Sequence, residues 1–192
     1  MPQTTKQQPP APEEIYLRYT REHNEKDLET LLVTFREGLF LFILSFVKNE
    51  EDAEDLMLDT FAKLAVDSPH FSPGREGSFK GWLYAIARNN TLMHIRRRKL
   101  VTYPPDEELE DTRTPESALL RDEKNRMLYS AMSSLKPEYC RALELLYIEG
   151  FSHTEIAQAM GLNTRQVYNL IDRGKASLRK KLEKLGVYDA QY

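Results

Sequence analysis

The chain of 192 residues has a single cysteine, Cys140, so neither an intramolecular disulfide nor a multi-cysteine metal site can form. Its four histidines (His23, His70, His94 and His153) show no clustered ligand spacing, and there is no HExxH pattern or Walker-type glycine loop. No metal, no cofactor and no nucleotide hydrolysis are expected. Ser68, Ser72 and Ser78 lack the paired carboxylates or supporting motif a nucleophile requires, so the chain is read as no enzyme. Long apolar runs are missing too. The longest, Leu39–Val47, is broken by Ser45 and falls well short of the roughly 20 residues of a spanning helix. Met1–Pro12 is polar and proline-rich, unlike a signal peptide. A cytoplasmic chain without membrane insertion is expected. Glycine is scarce, with eight residues, mostly placed where helices should stop or turn: Gly74, Gly77, Gly150, Gly161 and Gly186.

Charge is present in quantity but segregated. Twenty-seven basic against 30 acidic residues leave a formal −3, which argues against a general nucleic-acid coat protein. Glu50–Asp67 nevertheless carries seven acids and one base, whereas Lys80–Leu100 carries six bases and no acid. Asp106–Asp111 packs five acids into six residues, and Arg173–Lys184 returns to six bases against Glu183. Two basic blocks separated by an acidic linker suggest two polyanion-facing surfaces on two modules.

The apolar periodicity is helical throughout, and the fold class expected is all-α with two small domains. Leu28, Leu31, Leu32, Phe35, Leu39, Phe42, Ile43 and Phe46 recur at three- and four-residue steps, which predicts an amphipathic helix over Asp27–Val47. A second helix is predicted from about Glu51 to Val66, its early acids suiting a helix N-terminus. Ser68–Gly77, with two prolines and two glycines, reads as a loop, and Ser78 as the cap of a third long helix through Trp82, Leu83, Ile86, Leu92 and Ile95. Trp82, at helical spacing, is assigned to the core. The boundaries expected are a disordered tail over 1–12, a first module over 13–100, an acidic proline-containing linker over 101–115, a second module over 116–186 and a tail over 187–192. Pro137 should open a helix ending near Gly150.

The sharpest local pattern is His153–Ile171. Counted from His153, a small residue falls at the fifth place (Ala157) and glycine at the ninth (Gly161). Ile156, Met160, Leu162, Val167 and Leu170 fill the apolar places of a helix-turn-helix. Thr164 is expected to cap its second helix. That helix would present Arg165, Gln166, Tyr168, Asn169, Asp172 and Arg173 to base edges, with Lys175 and the bases behind it on phosphates. A single unit of this kind binds weakly, so the chain is expected to reach DNA with help.

EDAEDLMLDTFAKLA (Glu51–Ala65), SFKGWLYAIARNNTLMHIRRRK (Ser78–Lys99) and LKPEYCRALELLYIEGFSHTEIAQAMGL (Leu135–Leu162) occur in that order around the acidic linker. Together they resemble a bacterial RNA polymerase sigma factor of the sigma-70 family, in the extracytoplasmic-function group that keeps only regions two and four. The resemblance implies docking on the beta-prime clamp helices of core polymerase through Asp52, Asp55, Leu56, Asp59 and Phe61, with Leu58 where the family usually has glutamine. It implies reading and melting of the promoter −10 element by Asn89, with Arg88, Arg96, Arg97 and Arg98 holding the backbone, and with the loop Phe71–Phe79 capturing a flipped base. Met93 stands where the family commonly has aspartate. It implies −35 reading by the recognition helix, where Arg173 matches and Tyr168, Asn169, Leu170 and Asp172 depart. Asp172 should weaken phosphate attraction or favour a cytosine amino group, so an unusual −35 sequence is expected. An anti-sigma factor is a further partner the family suggests. The alternative is a stand-alone helix-turn-helix regulator that binds DNA without polymerase; the net charge and the lack of a dimerisation helix speak against it.

Overall fold

The computed structural model describes residues 10–67, 69–74, 77–101, 128 and 130–184, the side chains of 99–101 excepted. The expected linker beyond Val101, the first residues of the second module and the C-terminal tail lie outside the described residues. Among those described there is no strand. Helices α1 (Pro12–Glu22), α2 (Glu25–Val47), α3 (Glu50–Asp67) and α4 (Phe79–Val101) form the first module. Helices α5 (Pro137–Tyr147), α6 (His153–Met160) and α7 (Thr164–Lys184) form the second.

The three long helices expected in the first module are present with ends shifted by at most two residues at those stated. Asn24 caps α2 by accepting from the Lys26 amide at 3.1 Å, and Ser78 accepts from the Gly81 amide at 3.1 Å at the start of α4. Helix α1 was not expected as a helix, and its first residue, Pro12, had been placed in the tail. Pro12 sits in the first turn, where its missing N–H costs nothing, followed by Glu13 and Glu14 at the positive helix end. Its Ile15, Tyr16 and Tyr19 are buried.

By length and composition alone, α2 could cross a membrane. That corrects the expectation drawn from Leu39–Val47 alone, because the whole helix is long and apolar enough where that run is not. Its apolarity has another use: Leu31, Phe35, Leu39, Phe42 and Ile43 are buried against α1, α3 and α4, with further contact to α5. Around α4 the rings of Tyr16, Phe71, Phe79 and Trp82 lie 5.0–5.6 Å apart, so Trp82 is a packing residue, as assigned. Between α3 and α4 a partly buried polar set joins the apolar contacts. Lys63 Nζ donates to Asn90 Oδ1 at 2.5 Å, and the Asn90 amide reaches Thr60 Oγ1 at 3.4 Å.

In the second module, Ser152 and Glu155 form a reciprocal capping box. The Glu155 amide donates to Ser152 Oγ at 3.3 Å, and the Ser152 amide to Glu155 Oε2 at 2.8 Å. Gly161 ends α6 with φ +65°, the left-handed conformation the turn requires. The cap of α7 is Asn163, one residue before the expected Thr164. Asn163 Oδ1 accepts from the Gln166 amide and Gln166 Oε1 from the Asn163 amide, both at 2.8 Å. Thr164 is instead the first helical residue, and asparagine followed three residues later by glutamine closes the same reciprocal pair.

Candidate nucleic-acid and polymerase interfaces

Three surfaces carry the residues singled out by the sequence. On α3, Asp55 and Asp59 are exposed and Asp52 is half-buried, beside exposed Glu50, Glu51, Glu54 and Leu58. Leu56 and Phe61 are not on that surface. Each is 5% exposed and packs inward, because apolar side chains at this helical phase face α2 and α4. They hold the acidic face in place and do not themselves form it.

On α4, Asn89, Arg96, Arg97 and Arg98 are exposed, while the neighbouring Asn90 points into the core. Arg98 pairs with Asp52, whose other carboxylate oxygen lies 3.8 Å from His94 Nε2. The basic end of α4 and the acidic start of α3 are therefore one electrostatic unit, a link that neither segment reveals alone. Arg88 is half-buried. It donates to the Met160 carbonyl at 2.5 Å and to Asn89 Oδ1 at 3.0 Å, and burial pushes its guanidinium below the usual value.

On α7, Arg165, Gln166, Tyr168, Asn169, Asp172, Arg173 and Lys175 are all exposed, while Val167, Ile171, Gly174 and Leu182 face inward. Sequence reasoning missed that the His153 ring, at the start of α6, stacks on Tyr168 with centroids 4.2 Å apart and planes at 18°. The fifteen-residue separation leaves no helical periodicity to signal it. Lys175 lies over the Tyr147 ring at 5.6 Å, so one of the expected phosphate contacts is also a packing residue.

Among the described residues no group of three or more metal-ligating side chains gathers. The arrangement offers one acidic and two basic or polar surfaces on helices fixed by buried cores.

The chain matches the family models for sigma-70 region 2 over residues 33–101 and for sigma-70 region 4 over residues 125–178. It is 31% identical over 147 residues to the RNA polymerase sigma factor CarQ of Myxococcus xanthus, covering 75% of this chain and 82% of CarQ. The chain belongs to the sigma-70 family of RNA polymerase sigma factors. Extracytoplasmic-function relatives include SigX of Bacillus subtilis, 29% identical over 84% of this chain and 86% of SigX. SigE of Mycolicibacterium smegmatis is 34% identical over 74% of this chain, which spans 56% of that longer relative. In fold it is similar to RpoE of Bartonella quintana, solved with the anti-sigma factor NepR. The TM-score is 0.62 at 22% identity, covering 82% of this chain and 98% of that one. CnrH, solved with the cytosolic domain of CnrY, gives a TM-score of 0.60 at 22% identity, covering 89% of this chain and 96% of CnrH. As a member of the extracytoplasmic-function group, the first module is region two and the second region four.

Proposed function

We propose that this sigma factor docks on the basic clamp helices of core polymerase through Asp52, Asp55 and Asp59, an acidic surface suited to a basic helical partner. It then reads −10 through Asn89 with Arg88, Arg96, Arg97 and Arg98, and −35 through α7. It captures unpaired bases without catalysing a reaction of its own, and it works in the cytoplasm. An anti-sigma factor is a further partner, by analogy with the complexes of its structural relatives. The observation that carries the reading is the recognition helix: Arg165, Gln166, Tyr168, Asn169, Asp172, Arg173 and Lys175 are all exposed, while Val167 and Ile171 anchor the opposite side.

One polymerase holding both modules raises the effective concentration of each for its element, so two weak contacts act together. Run-off transcription of genomic fragments with core polymerase tests this and yields the promoters. Expected are polymerase-dependent transcripts from promoters whose −35 element differs from the common family sequence. Tight binding of a defined operator by the chain alone, unchanged by core polymerase in a gel shift, would establish the stand-alone regulator instead.

A further inference from the structure

Of the ring pairs among the described residues, the closest and most nearly parallel bridges the two helices of the helix-turn-helix. His153, the first residue of α6, lies against Tyr168 in the second turn of α7, at 4.2 Å and 18°. The other pairs are 4.8–6.4 Å apart and tilted by 29° or more. The stack lies outside the core. Ile156, Val167 and Ile171 already form the buried seam of the motif, whereas His153 is half-buried and Tyr168 is 52% exposed.

Both rings stand on helices whose starts are fixed by reciprocal caps, Ser152 with Glu155 and Asn163 with Gln166. A contact between two fixed backbones takes rotamer freedom from a side chain that would otherwise swing in solvent, and a side chain ordered before binding loses less on binding. The planes are nearly parallel, so the imidazole covers one face of the phenol ring and leaves the other face and the edge open.

The surroundings of Tyr168 narrow what that open surface can meet. Helical side chains lean toward the helix N-terminus, and in a recognition helix this is the end that reaches base edges. Arg165, three residues before, and Asp172, four after, share its stripe on α7, and both are exposed. Asp172 repels phosphate, and the ring offers phosphate no cation. In the major groove thymine is the base that presents an apolar group, its C5-methyl.

We infer that His153 is a positioning residue for promoter reading, holding Tyr168 so that the free surface of its ring meets the methyl group of a thymine in the −35 duplex. The inference rests on the proposed reading of −35 by α7. It adds a specificity determinant on the helix that precedes the recognition helix.

The test is a selection with the full chain bound to core polymerase, on promoter duplexes randomised across the −35 element and sequenced after binding. The parent should enrich thymine at one position. His153→Ala should reduce that enrichment about three-fold or more, the scale of one buried methyl contact, and leave the other positions as they were. Tyr168→Ala should abolish it at the same position. His153→Phe restores a stacking ring and should restore the enrichment, and Tyr168→Phe should keep it, because the ring and not its hydroxyl does the reading. Replacing the selected thymine by deoxyuridine removes only the methyl group. That duplex should bind the parent about three-fold more weakly and the His153→Ala chain nearly as well as the thymine duplex.

Undiminished thymine enrichment by His153→Ala, a loss spread evenly over all sequences, or equal binding of thymine and deoxyuridine duplexes by the parent would each overturn the inference. Loss of the enrichment in Tyr168→Phe would assign the contact to the hydroxyl and overturn it too. Each of these leaves the −35 role of α7 standing. A parent that enriches no base in the element would instead overturn that role, and the inference with it.

Discussion

Region two packs its helices around a cluster of rings, whereas region four packs a mainly aliphatic core and adds reciprocal caps at two helix starts. Around α4, Phe79 is fully buried against Tyr16, Phe35, Phe71 and Trp82 at centroid distances of 5.0–5.9 Å. In region four α6 has only eight residues, and the reciprocal bonds of Ser152 with Glu155 and of Asn163 with Gln166 start α6 and α7. The contrast follows from what each part presents. The helix proposed to grip melted strands has a stiff aromatic floor under its basic surface. Helix α7 keeps seven named side chains outward and is anchored by Val167, Ile171 and Leu182, and its reciprocal cap adds to that apolar seam.

The sharpest way to break this contrast is Phe79→Ala. Emptying the centre of the aromatic cluster should cost about 3–5 kcal/mol of stability, read by thermal or urea unfolding of the full chain. Ser152→Ala removes one half of a capping box and should cost about 1 kcal/mol. Near-equal losses for the two variants would show that a cap in region four weighs as much as the ring cluster of region two.

The smallest effect expected is acid sensitivity at the α1–α2 junction. The Arg18 guanidinium donates to both oxygens of Asp27 at 2.5 and 2.7 Å and holds its carboxyl below the usual range. A carboxyl whose value is lowered on folding stabilises the native state above the unfolded value of about 3.9, and that contribution disappears as pH falls through the lowered folded value. Arg18→Gln should therefore lower stability at neutral pH and make the acid limb of a stability-against-pH curve shallower. Parallel curves for variant and parent would remove the pair from the account.

The helical class, the three long helices of region two, the proline opening α5 and the left-handed Gly161 were legible in the sequence, because period, caps and glycine placement are local signals. Helix α1 was obscured by the proline-rich stretch before it, although Ile15, Tyr16 and Tyr19 share one helical face. The Asn163 cap was readable from Gln166 three residues on, and was passed over for the threonine next to it. Leu56 and Phe61 show the limit of carrying a motif across by position, since a motif residue can serve an interface from beneath it. The contacts of Lys80, Tyr84 and Arg88 with region four span 65–72 residues of chain. No short-range pattern encodes them, and the basic block containing Lys80 and Arg88 read simply as a DNA surface.

The hydroxyl of Tyr16 donates to the Pro69 carbonyl at 2.6 Å, and the Phe79 amide reaches Glu13 Oε1 at 3.3 Å. Helix α1, upstream of the stretch that matches region 2, thus splints both ends of the segment assigned to catching an everted base. Deleting α1 alone would leave every nucleotide-facing side chain in place and remove the brace behind the loop. A shortened version of this factor should still find its polymerase and its duplex, and then stall at strand separation.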